Sequence, residues 1–132
     1  MSTFLVEIVT PERKVYAETA NMVTVTGAEG SLGILPNHIP LVTTLRIAPI
    51  TIKRDGKVDV IAASGGFIEV RKDKVVILAE SAELATGIDL ARAQAAKERA
   101  QQRLNAKRDE IDYRRAELSL QRAMNRINIS QK

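Results

Sequence analysis

The sequence contains no cysteine and no tryptophan, and its 132 residues include a single histidine. The lack of cysteine excludes disulfides and thiolate metal ligands, as is common in a reducing compartment. No apolar run approaches the roughly 18 residues of a membrane span, and the N-terminus lacks the basic and apolar regions of a signal peptide. We therefore expect a soluble protein that is not exported.

Charge divides the chain into two unequal parts. Residues 1–88 carry nine Lys and Arg against ten Asp and Glu, whereas residues 89–132 carry eleven against six. The basic C-terminal part favours an acidic partner: phosphate, nucleic acid or a carboxylate-rich protein surface. A basic nucleic-acid-binding protein is one alternative. It is disfavoured by interleaved acidic residues such as Glu98 and Glu117 and by the presence of only four aromatic side chains on which bases could stack.

Residues 1–87 are typical of a small β domain. Short runs of β-branched and apolar residues predict strands at residues 4–9, 15–17, 21–26, 47–53, 58–63, 66–71 and 75–79. Turn residues end the first run at Thr10-Pro11-Glu12 and separate two later runs at Lys53-Arg54-Asp55-Gly56. The segment 27–42 holds three of the seven glycines and two of the four prolines, so we expect a rigid surface loop there. The regular spacing predicts an antiparallel β-sandwich or flattened barrel.

Residues 88–132 predict an antiparallel α-helical hairpin, which makes the fold class α+β. Apolar residues recur at helical spacing in two runs: Ala93, Ala96, Ala100 and Leu104, then Ala116, Leu120, Ala123, Met124 and Ile127. Asp89 and Asp112 precede these runs as predicted N-caps, and residues 105–111 form the predicted link. Because alanine buries little area, we expect the hairpin to be marginal without the β domain, a partner or a ligand.

Four patterns that resemble catalytic or metal sites have simpler explanations. Gly27-x-x-Gly30-x-x-Gly33 lacks the Lys-Ser or Lys-Thr pair and the helix of a phosphate loop, which indicates turn glycines. His38 has no companion ligands for zinc, so it predicts a hydrogen-bonded loop histidine. Ser64 lacks a nucleophile elbow, and the acidic residues 109, 110 and 112 are too close together for a calcium loop. We predict no catalytic residue and no metal site. A small metabolic enzyme is a further alternative, and it is disfavoured because the sequence offers no pair of nucleophile and base.

The arginines of the two predicted helices leave two interpretations open. Arg92, Arg99 and Arg103 share one face of the first helix, and Arg122 and Arg126 stand one turn apart on the second. They form either a solvated basic face or, in a folded hairpin, a convergent set of guanidinium groups. Guanidinium groups are fork-shaped donors suited to phosphate oxygens.

Three segments resemble one known family. Residues 32–41 read LGILPNHIPL, residues 63–70 read ASGGFIEV, and RAEL at 115–118 is followed by RA at 122–123. In this order, over nearly the whole chain, they resemble the epsilon subunit of F-type ATP synthases, nearest to bacterial members of the Bacillus type. The resemblance implies a β-sandwich followed by a helical hairpin.

The resemblance also implies a non-catalytic subunit of the rotary central stalk, peripheral to the cytoplasmic face of the bacterial cell membrane. Residues 1–87 would bind the gamma subunit and the ring of c subunits, with Glu29, Ser31 and His38 at this contact. Residues 88–132 would be a mobile regulatory hairpin, which folds on the sandwich or extends toward the beta and alpha subunits. In the extended state Arg115 and Arg122 would face acidic surfaces of beta and inhibit ATP hydrolysis.

Some bacterial members of the family bind ATP on the folded hairpin without hydrolysing it. Their motif, Ile/Leu-Asp-x-x-Arg-Ala, stands here as IDLARA at residues 88–93. The resemblance implies an ATP site, with its magnesium requirement left open, made of Glu83, Ile88, Asp89, Arg92, Ala93, Arg99, Arg122 and Arg126. Two loop positions depart from the family pattern. Asn37 stands where glycine is common, although Asn tolerates a left-handed conformation, and Ser31 stands where an acidic residue is common.

Overall fold

The computed structural model describes residues 2–106 and 110–130 and shows ten β-strands followed by two α-helices. The strands are β1 (Phe4–Val9), β2 (Lys14–Ala20), β3 (Met22–Gly27), β4 (Gly30–Ile34), β5 (Leu41–Leu45), β6 (Ala48–Arg54), β7 (Lys57–Ala63), β8 (Gly66–Val70), β9 (Lys74–Ala79) and β10 (Ala82–Leu84). A short 3-10 helix, Ala85–Gly87, leads to α1 (Leu90–Ala106) and α2 (Glu110–Ser130). The predicted fold class is confirmed.

The strands form one hydrogen-bonded path in the order β10-β7-β6-β3-β5-β8-β9-β1-β2, with β4 paired to β3 off this path. Strands β1 and β9 run parallel, with Val9 opposite Leu78, whereas the other pairs are antiparallel. The sequence predicted an antiparallel sandwich, so this parallel pair is a correction. The residues of a hairpin turn indicate in the sequence that the two flanking strands are antiparallel neighbours. No local sequence pattern indicates that a strand far along the chain is a parallel neighbour.

The hydrophobic core belongs entirely to the strands. Its members lie between Phe4 and Ala82, and the largest fully buried ones are β-branched: Ile8, Ile34, Ile50, Ile52, Ile61, Ile68 and Ile77. Branched side chains pack well on a pleated surface. The sandwich therefore holds a core of its own, independent of the helices.

Three strands were missed by the sequence prediction. The segment 27–42, expected to be a loop, contains β4, because β3 supplies hydrogen-bonding partners for a glycine-rich strand, and the start of β5, which pairs with β8. Strand β10 lies at the end of the predicted β domain and pairs with β7. The expectation for Asn37 is confirmed, since this residue adopts a left-handed φ of 65°.

A polar link joins distant parts of the strand path. The hydroxyl of Tyr16 on β2 and the Nε of Arg54 on β6 both donate to Oδ2 of Asp59 on β7, each at 2.7 Å. The Arg54 hydrogen bond is the main cause that holds the pKa of Asp59 below its ordinary value. Burial, with the Asp59 contact, raises the pKa of Tyr16. These bonds join the end strand β2 to β6 and β7, which lie near the other end of the strand path.

The helices form the predicted hairpin, with α1 packed along α2 and α2 packed against β6, β7 and the 3-10 helix. Its buried residues are mostly small: Ala93, Ala100, Ala116, Ala123 and Ile129. Met124, predicted for the apolar face, is instead 42% exposed, because successive helix residues point about 100° apart and the adjacent Ala123 takes the buried position. In the part of the chain that the structure describes, no helix combines the length and apolarity needed to cross a membrane.

One predicted helix cap is confirmed and the other is wrong. Oδ1 of Asp89 accepts a hydrogen bond from the Arg92 backbone N–H at 3.1 Å, as an N-cap should. Asp112 lies inside α2, which includes Glu110; acidic residues favour both the cap and the first turn of a helix, so the sequence signal did not separate them. Of the predicted link, residues 105–106 belong to α1 and 110–111 to α2, and residues 107–109 lie outside the described residues.

Candidate functional site

A cleft of about 690 Å³ lies between the sandwich and α1. Small-molecule sites typically enclose about 300–1,000 Å³, so its size suits a nucleotide-sized ligand. The sandwich contributes the β1–β2 turn and the chain around β10, and the helices contribute the start of α1 and one residue of α2. The lining residues are Thr10, Glu12, Arg13, Val15, Glu80, Ser81, Ala82, Glu83, Gly87, Ile88, Asp89, Arg92, Ala93, Ala96, Arg99 and Arg126.

The parallel register of β1 and β9 explains the sandwich wall of this cleft. Val9 lies opposite Leu78, so the chain leaves both strands at the same edge of the sheet. The turn 10–13 therefore emerges beside residues 80–82. The Thr10 N–H donates to the Arg13 carbonyl at 2.9 Å, and the Arg13 N–H donates to Thr10 Oγ1 at 3.3 Å, which fixes the backbone of the turn.

The helical wall follows from the position at which α1 begins. With Asp89 as the N-cap, Arg92, Ala96 and Arg99 fall at i, i+4 and i+7 along α1 and share one face. Arg92 and Arg99 are both exposed. Their guanidinium groups can therefore reach a ligand in the cleft.

Arg126 connects α2 to the sandwich at the end of the cleft. Its Nε donates to Oε1 of Glu83 on β10 at 2.5 Å, and its Nη2 lies 3.4 Å from Ser81 Oγ. Ser81 Oγ in turn donates to Ser64 Oγ at 2.9 Å. The folded hairpin is thus tied to the strands through a short chain of polar contacts.

Seven of the eight residues predicted for the ATP site line this one cleft: Glu83, Ile88, Asp89, Arg92, Ala93, Arg99 and Arg126. Arg122 does not line it; its Nη2 donates to Ser119 Oγ on the same helix at 3.0 Å. The lining includes four arginines and four carboxylates, of which Glu83 is paired with Arg126 and Asp89 caps α1. Arginines from α1 and α2 therefore line the same cleft, and guanidinium groups are donors suited to phosphate oxygens.

Apart from Glu83, the sandwich wall was missed by sequence reasoning. Residues 10, 12, 13, 15 and 80–82 belong to no motif that was recognised, and they reach the cleft only because β1 and β9 are parallel. A predicted turn at residues 10–12 was the one signal available. It located the turn but not its neighbours.

The residues predicted to contact a c ring and gamma are not gathered at one point. Glu29 lies on the β3–β4 turn and Ser31 at the start of β4, whereas His38 follows the other end of that strand. The Nδ1 of His38 donates to the Ile39 carbonyl at 2.7 Å, so the predicted hydrogen-bonded loop histidine is confirmed. Beside it, Leu35 is 55% and Ile39 79% exposed.

Arg115, predicted to contact a beta subunit, is exposed on α2. It does not line the cleft. Among the described side chains, no three or more His, Cys, Asp or Glu residues are grouped as a metal site would need.

Comparison with known proteins matches both the strands and the helices of the chain to models of one protein family. The family model described as "ATP synthase, Delta/Epsilon chain, beta-sandwich domain" matches residues 3–85, and the one described as "ATP synthase, Delta/Epsilon chain, long alpha-helix domain" matches residues 87–131.

Two chains from solved structures share the fold. One, from the Euglena gracilis mitochondrial ATP synthase (OSCP/F1/c-ring, rotational state 1), has a TM-score of 0.81 at 23% identity, covering 95% of this chain and 79% of that chain. The other, from the Tetrahymena thermophila mitochondrial ATP synthase (central stalk/c-ring), has a TM-score of 0.58 at 16% identity, covering 94% and 97%.

Curated relatives match from end to end. The ATP synthase epsilon chain of Brevibacillus brevis is 56% identical over 98% of this chain and 99% of the relative. That of Halalkalibacterium halodurans is 53% identical over 98% of both chains, and that of Bacillus subtilis strain 168 is 53% identical over the full length of both. With family models matching both the strands and the helices, and with relatives above half identity, the chain belongs to the ATP synthase delta/epsilon chain family.

Proposed function

We propose that this chain is the epsilon subunit of the central stalk of a rotary, proton-translocating ATP synthase. Its role is regulatory and structural rather than catalytic. The names of its full-length relatives support this role, and family membership favours it over the nucleic-acid-binding and metabolic-enzyme alternatives. In this proposal the protein is peripheral to the cytoplasmic face of the bacterial membrane and reaches it only through the c ring.

The sandwich is the part that binds gamma and the c ring in this proposal. Large apolar side chains are exposed on it: Leu35, Ile39, Val42, Phe67 and Leu78 are each at least half exposed. Phe67 and Leu78 are direct neighbours on β8 and β9 and form an apolar pair on the outer face. Exposed apolar surface of this kind supports a protein-binding role. Glu29, Ser31 and His38 supply polar contacts around it.

The hairpin is the regulatory part, and ATP is its ligand. The observation that carries this proposal is the cleft, which collects Glu83 from β10, Arg92 and Arg99 from α1 and Arg126 from α2 while the hairpin is folded. A hairpin that moved away from the sandwich would take three of these four groups with it. ATP therefore binds the folded state selectively, is held by its phosphates, and is not hydrolysed.

Selective binding of this kind is large enough to control the hairpin. A ligand at a hundredfold excess over its Kd stabilises the binding state by about 2.7 kcal/mol. The hairpin buries mostly alanine, so its own packing contributes little. High ATP keeps the hairpin on the sandwich, and falling ATP releases it to meet the beta and alpha subunits and inhibit hydrolysis.

Arg122 joins the site only after a side-chain rotation in this proposal. It lies one turn before Arg126 on α2, and its present bond to Ser119 is a single side-chain hydrogen bond within the helix. Exchanging that bond for a charge-assisted bond to phosphate favours the rotation.

The test is thermal denaturation of the isolated protein with and without ATP. We expect ATP to raise the Tm of the wild type and not that of the double variant Asp89→Ala, Arg92→Ala. A matched control, Glu98→Ala with Arg103→Ala, removes one acid and one base from exposed positions of α1 outside the cleft and should respond as the wild type. Loss of the Asp89 cap lowers the starting Tm, so the ATP-dependent increment is the quantity compared. An equal increment in the double variant would place the nucleotide site elsewhere.

A further inference from the structure

The charged residues on the sandwich wall of the cleft are acidic with one exception. Glu12, Glu80 and Glu83 lie on this wall, and among the residues that the structure describes Arg13 is its one cation. Arg126 offsets Glu83 through their ion pair. A phosphate chain lying against this wall would be repelled by the remaining carboxylates, because like charges a few ångströms apart interact unfavourably. Arg13 is the residue of the wall itself that can offset this repulsion.

Arg13 is held in place by its backbone and is free at its side chain. The turn 10–13 is fixed by hydrogen bonds between Thr10 and Arg13. Among the described residues the guanidinium group of Arg13 has no ion pair, in contrast to Arg54, Arg71 and Arg126. It can therefore bind a ligand without giving up an internal partner.

The cleft also separates α1 from the sandwich. The main packing partner of α1 is α2, and it is α2 that contacts β6 and β7. A ligand held by Arg92 and Arg99 on one side and by Arg13 on the other would join α1 to the strands directly.

From these three observations we infer that Arg13 is a phosphate-binding residue of the nucleotide site and that the ligand bridges the sandwich and α1 through it. This inference rests on the proposed function, because it requires a nucleotide in the cleft. It adds the β1–β2 turn as a third element of the site, beside β10 and the hairpin. The phosphates are then held from both walls.

The experiment is a calorimetric titration of the full chain with ATP, ADP and AMP, in EDTA and again with excess Mg²⁺. We compare the wild type with Arg13→Gln, Arg13→Lys and a matched control, Arg71→Gln, which removes the same charge from the β8–β9 turn outside the cleft. Arg13→Gln should weaken ATP binding about tenfold, equivalent to roughly 1.4 kcal/mol. The loss should decrease from ATP to ADP to AMP, because the attraction depends on ligand charge. Arg13→Lys should fall between Arg13→Gln and the wild type, since lysine keeps the charge without the planar fork.

The outcomes separate the inference from the proposed function. If Arg13→Gln binds ATP as tightly as the wild type while the Asp89 and Arg92 double variant does not bind, the inference is wrong and the proposed function stands. An equal loss for all three nucleotides, a loss seen only with Mg²⁺, or an equal loss in Arg71→Gln would each overturn the role of Arg13. If the wild type binds no ATP, the nucleotide site itself is wrong.

Discussion

The Nε of Arg126 lies 2.5 Å from Oε1 of Glu83, and this ion pair joins the second helix to the last strand of the sandwich. Both residues also line the cleft. The groups that dock the hairpin therefore also line the proposed ligand site. A phosphate that binds Arg126 must compete with the Glu83 carboxylate.

Glu83→Gln should loosen the hairpin in the absence of nucleotide. The two side chains are 27% and 37% exposed, so the pair contributes at most about 1 kcal/mol, and amide hydrogens of α2 should exchange up to about fivefold faster. Hydrogen exchange followed by mass spectrometry measures this. Glu80→Gln removes a carboxylate from the same wall that does not bond Arg126 and should leave exchange unchanged. Equal exchange in both variants would contradict a docking role for the pair.

Asp59→Asn should destabilise the sandwich near neutral pH and lose that effect in acid. Because the Arg54 hydrogen bond lowers the pKa of Asp59 in the folded state, its stabilisation is present above the unfolded-state pKa. It is lost as the pH falls through the folded-state pKa. We expect a difference of about 1 kcal/mol at neutral pH, measured by urea denaturation, that shrinks as the pH falls below the ordinary pKa of an aspartate. The exposed Asp73→Asn is the control, and a difference independent of pH would refute this role of the charge.

Gly66→Ala should be strongly destabilising and Gly87→Ala nearly neutral. Gly66 has a φ of 144°, and a Cβ there would collide with the carbonyl group of Leu78 on the neighbouring strand. We expect a loss of about 3 kcal/mol or more in urea denaturation. A Cβ on Gly87 meets nothing within 4 Å, so its effect should stay within about 0.5 kcal/mol. Similar losses at both positions would contradict the strand packing around Gly66.

Residues 1–87 should fold without the hairpin, since every member of the hydrophobic core lies between Phe4 and Ala82. The expected result is a single cooperative urea transition monitored by circular dichroism. The fragment should still bind gamma and support coupling while losing inhibition. A gradual, non-cooperative transition would show that the helices are needed to complete the sandwich.

Arg115→Ala with Arg122→Ala should relieve inhibition of ATP hydrolysis in a reconstituted ATP synthase. Arg115 is exposed, and Arg122 is half-buried with only Ser119 as its described side-chain partner, so both can turn toward an acidic surface once the hairpin extends. The control is Arg103→Ala with Arg114→Ala, which removes the same charge from other exposed positions of the hairpin. Inhibition as strong as in the wild type, or equal relief in the control, would contradict the assignment of Arg115 and Arg122 to a contact with the beta subunit.

Local patterns predicted most of the fold. The turn at Asp55 and Gly56 was identified from its residue types, and both adopt positive φ values of 47° and 76°. Asp89 was identified as a cap for a similar reason, because a helix start is decided within a few residues. Strands β4 and β10 were missed because they depend on hydrogen bonds from β3 and β7 rather than on their own residue types. Strand β5 was missed because it begins within the glycine- and proline-rich segment expected to be a loop.

The helical side of the candidate site was predictable, whereas on the sandwich side only Glu83 was predicted. Residues 88–93 form a continuous motif, and their family resemblance extended the set to Arg99 and Arg126. Arg13 lies far from them in the sequence and reaches the cleft through the β1–β9 pairing. The conformation of Arg122, which bonds Ser119 outside the cleft, depends on a choice between rotamers that residue spacing does not determine.

The parallel pairing of β1 with β9 also sets an order of events during synthesis on the ribosome. Strand β1 is made first but cannot gain its second neighbour until Lys74–Ala79 has emerged. Such a distant contact must overcome a large loop-closure entropy, which makes sheet closure a late and slow step in folding. The hairpin is translated later still. A newly made hairpin therefore emerges after every strand of its docking surface, and its first docking depends on how quickly that surface closes.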